Sequence, residues 1–483
     1  MKFLPLLATA FVAAEAVSAS MAAKPHHGLF ARHERRAPVE LYTGEDPQLE
    51  MVKRNRAELA AMPKQERRAH FDHLDINDYA PTDLQKRQAS PTSPGTGTAY
   101  PPAGSDSPAA NTLPKVWVDK YNAVKAAGLI PDIPPSKENA AGTVDYPAGT
   151  DLNKVCSWTN QKCFNGDIYQ APDNAVAFGI DDGPTPNGTA NFVNVFKKQN
   201  ITATHFLIGS AIVWNQDSLK LLANASPKQN LAIHTWSHTL QTTKTDLEIV
   251  GELGWTAQII YDVTGFIPNQ ARMPEGDVDN RVRAIAKYVF GMQSVMWTHD
   301  ADDWCLRQGK GTAKEIQSCV QSAPNLKTVT AVQVGWATPK TNSTGWITLN
   351  HETTDQASEA FDSMVQATQK AGWNIEGAVP NLQGLPWYNN AYGPNDTPTK
   401  QDNILPTKDF INVTDPTAAK GSAAAPKLGN WAKTAATQNP SVGSQASGGH
   451  SGGLGSSSGA MEITVNTAFV SMAVLSIAIA LSA

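Results

Sequence analysis

The sequence predicts an α/β fold built on a parallel sheet or barrel. Between about Cys156 and Leu385, apolar runs of strand length alternate with stretches of helical periodicity, as repeated strand, helix, strand units require. The residues of unusual chemistry fall at the ends of the apolar runs, where folds of this class assemble their sites.

Taken in order, A-V-A-F-G-I (175–180) reads as a strand and T-A-N-F-V-N-V-F-K-K-Q (189–199) as a helix with Phe192, Val195 and Phe196 on one face. T-A-T-H-F-L-I (202–208) is the next strand. Further strands are expected at 231–234, 289–297 and 346–351, and helices at 245–262, 279–288 and 354–371.

A chain of 483 residues, 41% hydrophobic, fills one large domain and leaves residues over for tails. A net charge of -5 with no basic block excludes nucleic acid as a natural partner. The tails carry their own signals. Residues 1–19 have a positive start, an apolar run interrupted by Glu15, and a V-S-A ending, the pattern of a secretory signal peptide. Residues 20–150 read as a pro-region and Pro/Ser/Gly-rich linker. Within them, Arg35-Arg36 and Lys86-Arg87 are either processing sites, which would make Ser20 to Arg87 removable, or ordinary exposed pairs. The expected catalytic domain is 151–390, followed by a Ser/Thr/Pro/Gly-rich stalk over 391–459.

The last segment, 460–483, ends in an apolar run with no basic residue behind it, after the small residues G-S-S-S-G-A. It resembles a removable glycosylphosphatidylinositol signal, with Ser458 in the attachment window, and a plain C-terminal membrane helix is the alternative. Six N-x-[ST] sequons, at Asn187, Asn200, Asn224, Asn342, Asn395 and Asn412, suit an exported glycoprotein. The cysteines form two close pairs, Cys156 with Cys163 and Cys305 with Cys319. Two disulfides are expected; pairing of near neighbours is the simplest arrangement, and a bridge from the start of the domain to a later loop stays open. The expectation is thus a secreted monomer, anchored by lipid at the plasma membrane and cell wall.

Two stretches carry chemistry. F-G-I-D-D-G-P puts Asp181 and Asp182 side by side at a strand end, where like charges repel unless a cation or a turn of the backbone reconciles them. H-T-W-S-H spaces His234 and His238 four residues apart, one helical turn, so that both imidazoles can face one point. One aspartate would complete a metal site with the two histidines, and the other would act as base.

With R-M-P-E-G (272–276), D-A-D-D-W (300–304) and L-N-H (349–351), five motifs occur in order, and together they resemble those of the polysaccharide deacetylases. The resemblance spans roughly residues 160–380 and implies a distorted (β/α) barrel. It implies Asp181 as catalytic base, and Asp182, His234 and His238 as ligands of a divalent metal, usually zinc, with cobalt as an alternative. Arg272 would orient Asp181, His351 would be the general acid, and Asp300 would hold and tune that imidazole. Trp304 and Leu349 would wall the acetyl pocket. Asp303 also matches its motif, in either a structural or a catalytic role. The chain departs from the family at Gly179-Ile180, where Thr-Phe is common, and at Glu275, where an aromatic residue is common. Glu275 would edge the substrate groove, facing either an ammonium of glucosamine or solvent, and its backbone N–H would steady negative charge on the carbonyl oxygen.

Three functions are compatible with these residues. The first is removal of N-acetyl groups from chitin or another N-acetylglucosamine polymer. The second is O-acetyl ester hydrolysis on xylan or another glycan by the same site. The third is a wall-binding protein without turnover, against which the intact Asp181, Asp182, His234, His238 and His351 speak.

Overall fold

The run that starts at Ala175 alternates between two buried faces. Val176, Phe178 and Ile180 pack with Phe192, Phe196 and Phe361 of flanking helices, whereas Ala175 and Ala177 turn the other way, towards Phe206, Ala232 and Ile347. Covered on both faces, the strand has no polar residue before Asp181, as parallel sheets require.

The computed structural model describes residues 38–61, 90–104, 106–139, 143–306, 325–337 and 344–407. The signal peptide, both dibasic pairs, Asn342, Asn412, Cys319, most of the stalk and the anchor signal with Ser458 lie outside them. No helix among the described residues is long and apolar enough to cross a membrane.

The central sheet consists of β1 (Ala175–Ala177), β2 (Gly179–Gly183), β3 (Thr204–Leu207), β4 (Asn230–Ile233), β5 (Gln270–Ala271), β6 (Gln293–Ser294), β7 (His299–Asp300), β8 (Trp346–His351) and β9 (Asn374–Gly377). Its strands pair in parallel in the order β9-β1-β8-β2-β3-β4-β5-β6, and β7 pairs with β8. The chain leaving β6 runs through residues 295–298 into β7, and so returns from the far end of this order to β8. The sheet thereby closes on itself, with a further bridge between Ile168 and Val295, as a distorted (β/α) barrel.

Helices α1 (Gly188–Gln199), α2 (Asp246–Thr264), α3 (Asn280–Phe290) and α4 (Asp355–Lys370) surround the sheet. A capping box between Thr245 and Glu248 starts α2, and Gly265 in the left-handed region (φ 80°) ends it. Nearly every residue of α2 is buried, because the helix is sandwiched between the sheet and an outer layer of the chain.

That outer layer corrects the expected boundaries. The stretch from Ser90 is not a detached linker: Tyr100 is buried, and the helix Lys115–Ala126 adds Trp117, Val118, Tyr121 and Val124 to the same core as α2 and α3. Proline content signalled a linker there, but the spacing of those apolar residues marks one packed helical face. Part of the supposed pro-segment also docks, since Arg56 of the helix Leu49–Ala61 pairs with Glu248 at 3.1 Å. At the other end the folded unit continues past 390: Ile404 is buried, and Gln401 exchanges hydrogen bonds with the Tyr261 hydroxyl.

The strand expected over 289–297 is shorter than predicted. Val289 and Phe290 finish the buried face of α3, Gly291 caps the helix with φ 65°, and Gln293–Ser294 alone pair with β5. Cys156 and Cys163 are bonded, with Cα atoms 5.0 Å apart. Cys305 is also disulfide-bonded, and the partner expected for it is outside the described residues. Asn187, Asn200, Asn224 and Asn395 are exposed.

Candidate metal centre and catalytic cleft

Strict alternation along β2 would send Asp182 to the same face as Ile180, towards the helices. The register with β3 slips instead, so that Asp181 meets Phe206 and Gly183 meets Leu207, and Asp182 is left between them with φ 72°. This bulge brings the second carboxylate round to the first, which is how adjacent acids come to share one site. Gly183 is needed beside it: a Cβ there would lie 1.5 Å from Oε1 of the buried Glu352.

H-T-W-S-H is a loop after β4 rather than the helical turn expected, with Thr235 (φ 67°) and His238 (φ 52°) in the left-handed region. Glu252 of α2 holds it, its Oε2 accepting from the backbone N–H groups of Trp236 (2.7 Å) and Ser237 (2.9 Å) and its Oε1 from the Ser237 hydroxyl. Nδ1–H of His234 donates to the Arg272 carbonyl at 2.7 Å, which leaves Nε2 as a lone-pair donor. The Nε2 atoms of His234 and His238 then stand 3.4 and 3.3 Å from Oδ1 of Asp182.

These three ligand atoms lie within 4.8 Å of one another, the one such cluster among the described residues. Both Asp182 oxygens are buried without a hydrogen bond. Burial opposes the charge on Asp182, but His238, His234 and His351 more than offset it and hold the carboxyl well below its usual range. A buried carboxylate with no hydrogen bond from the protein, facing two imidazole nitrogens, is the donor set of a borderline divalent cation, and the residues fit one.

Asp181 is held separately. Arg272 is fully buried, its Nη1 donating to Asp181 Oδ1 at 2.8 Å and its Nη2 to the carbonyls of Met296 (3.3 Å) and Thr348 (3.2 Å). The guanidinium lies 4.3 Å from the Phe206 ring. Gly179 makes room for it, because a Cβ there would sit 2.5 Å from both terminal nitrogens. Asp181 Oδ2 is turned towards His234, 3.7 Å from its Nε2.

His351 ends β8 as the register partner of Asp181 on β2, so the two side chains stand on neighbouring strands. Its Nδ1–H donates to Asp303 Oδ1 at 2.8 Å, and its backbone N–H to Asp303 Oδ2 at 3.1 Å. The expected holder, Asp300, is therefore corrected to Asp303. Asp300 sits on β7 at the exposed mouth of the cleft, whereas the turn after it carries Asp303 inward, fully buried. Burial works against protonation of His351, but the Asp303 hydrogen bond and the charges of Asp182, Asp303 and Asp181 reverse it and push the pKa up to about 10.

Asp181, His234, His238 and His351 open into one cleft together with Glu275, Asp300, Trp304 and Leu349. Asp277 lines it too, with its carboxyl raised to about 7 by burial. Among the described residues nine non-glycine residues have positive φ, and five of them, Lys162, Asp182, Thr235, His238 and Glu275, belong to this site, so backbone strain concentrates there. Glu252 is not legible in the sequence, because it is one of several polar residues along α2 and only the fold shows it buried under the loop. Thr143, Val144, Thr159 and Lys162 line the cleft as well, with no signal in the sequence.

A polysaccharide deacetylase model matches residues 169–294. Chitin deacetylase 3 of Cryptococcus neoformans var. neoformans serotype D (strain B-3501A) is 32% identical over 335 residues, covering 68% of this chain and 76% of that protein. A chitin deacetylase of Amylomyces rouxii is 32% identical over 232 residues, covering 46% of this chain and 51% of that protein. Among solved structures, a CE4 family pseudoenzyme from Bacillus anthracis is 23% identical, with 45% of this chain and 69% of that chain covered at a TM-score of 0.38. With a relative aligned over most of both chains, and with that family's five motifs meeting around one cleft, the chain belongs to the polysaccharide deacetylase family.

Proposed function

We propose that this protein hydrolyses the N-acetyl groups of N-acetylglucosamine residues in chitin, releasing acetate and leaving glucosamine units, with zinc held by Asp182, His234 and His238. The observation that carries the reading is the convergence of those three donors beside a second carboxylate with its own cation, Arg272. The curated relatives named as chitin deacetylases support the substrate.

Asp182, His234 and His238 would hold a divalent cation, which would supply positive charge to acidify water and polarise the acetyl carbonyl. Asp181 Oδ2 takes the proton of the attacking water, since Oδ1 is occupied by Arg272. A carbon–oxygen bond forms, negative charge builds on the carbonyl oxygen, and the carbon–nitrogen bond breaks. His351 protonates the departing amine through Nε2, because Nδ1–H is committed to Asp303. Trp304 and Leu349 face the acetyl methyl across the cleft.

Acetate release from chitin oligomers and from acetylated xylan, with chelator and with zinc or cobalt restored, tests the assignment. Release from chitin oligomers, lost on chelation and regained with metal, is expected. Release from xylan alone would make the protein an O-acetyl esterase, and release from neither would make it a binding protein. Secretion and a lipid anchor at the cell surface are part of the same reading, supported by the two terminal signals and the exposed sequons. Release of the protein from membranes by a phospholipase specific for such anchors checks them.

A further inference from the structure

Trp236 lies between the two histidines of the centre and is fully buried. Its backbone N–H is held by Glu252, but its indole is held by a segment that composition marks as linker. Nε1–H donates to the Pro102 carbonyl at 3.2 Å, and the ring stacks on Tyr100 with centroids 6.3 Å apart and 24° between planes. Tyr100 meets the edge of Trp255 at 5.9 Å and donates its hydroxyl to Asp262 Oδ2 at 2.5 Å. The same carboxylate accepts from the Ser93 hydroxyl and, at 3.1 Å, from the Gly95 backbone N–H. A Cβ on Gly95 would stand 2.4 Å from Asp262 Oδ1 and 2.3 Å from Gln258 Nε2, so a side chain there displaces the ends of both groups and disturbs the Asp262 bonds. Residues 90–102 are thus bolted to α2 at Asp262 and pressed against Trp236.

We propose that residues 90–102 form a strap that positions the metal-ligand loop, with Tyr100 and the Pro102 carbonyl as its working end. The loop lies outside regular strand and helix, and two of its residues hold left-handed backbone. The carbonyls of Thr235 and Trp236 accept from the backbone N–H groups of Gly209 (2.9 Å) and Ser210 (3.0 Å), so those bonds tie the backbone and the strap seats the indole. His234 is anchored on the Arg272 carbonyl, and His238 follows Trp236 by two residues, so the seating of the indole bears on where both imidazoles stand. Freeing the indole would also leave its N–H buried without an acceptor. The strap touches neither cation nor substrate; it acts through Trp236 on the distance between the two imidazoles.

This inference rests on the metal reading above, and the test separates the two. Zinc affinity of the full chain is measured by competition with a chromophoric chelator, well below the unfolding temperature, together with kcat and thermal stability. Tyr100→Ala and Gly95→Ala are expected to bind zinc about ten- to a hundredfold more weakly, the range for residues that orient ligands from behind. Tyr100→Phe, which keeps the ring and loses the Asp262 bond, falls between them and wild type. Val124→Ala, elsewhere in the same core, loses stability and keeps wild-type zinc affinity. If Tyr100→Ala does not fold, Gly95→Ala and Tyr100→Phe carry the comparison. Wild-type affinity in the strap variants, or an equal loss in Val124→Ala, overturns the strap. A wild-type chain that binds no zinc overturns the metal reading itself.

Discussion

The two sides of the cleft differ in how far the protein completes them. On one, His351 has its ring nitrogen and its backbone N–H both bonded to Asp303. On the other, Asp182 is equally buried and both its oxygens have no donor, while two imidazole nitrogens approach to 3.3 and 3.4 Å. A desolvated carboxylate without donors is stable only beside positive charge. On the proposed reading the proton-transfer side is built from protein alone, whereas the other side has the donor set that a cation would complete.

Variants that strip one side and spare the other test this contrast. The largest effect is expected from Asp182→Asn or His234→Ala, which should abolish zinc binding by elemental analysis and reduce acetate release to background. Asp181→Asn should lower kcat about 10²–10⁴-fold with zinc content unchanged, because the proposed mechanism gives Asp181 the proton transfer and its carboxylate is held by Arg272. Activity retained there would exchange the roles of the two aspartates.

Asp303→Asn should leave zinc bound, lower kcat by less, and reshape the pH profile. His351 is pushed up to about 10, so its acid form is present below that pH and is lost as pH rises through it. Removing the carboxylate that raises it moves the alkaline limb of kcat/KM to lower pH. A limb that stays in place would take the general-acid role from His351. The smallest effect is expected from Gly179→Ala: the Cβ meets the Arg272 guanidinium, and thermal unfolding should register a loss of about 1–3 kcal/mol without loss of zinc.

Much of this was legible before the fold was known. The parallel strands and their flanking helices follow from apolar alternation, and the motif residues do meet in one cleft. What sequence could not supply was backbone geometry. Two acids on adjacent strand positions do not disclose a bulge at Asp182, nor do two histidines four apart disclose a left-handed loop. Within D-A-D-D-W, nothing in composition separates Asp300 at the exposed mouth from Asp303 at the imidazole, because the choice is made by the turn between them. The strap is hidden in the sequence for a related reason, since low-complexity composition points to flexibility and does not disclose the burial of Tyr100, Ser93 and Thr96.

Anomalous diffraction at the zinc edge from crystals grown with zinc tests the central claim most directly. The account predicts one strong peak bonded to an Asp182 oxygen and to Nε2 of both His234 and His238, with Asp181 remaining on Arg272. No peak there, or a cation bound at Asp181 instead, would contradict it.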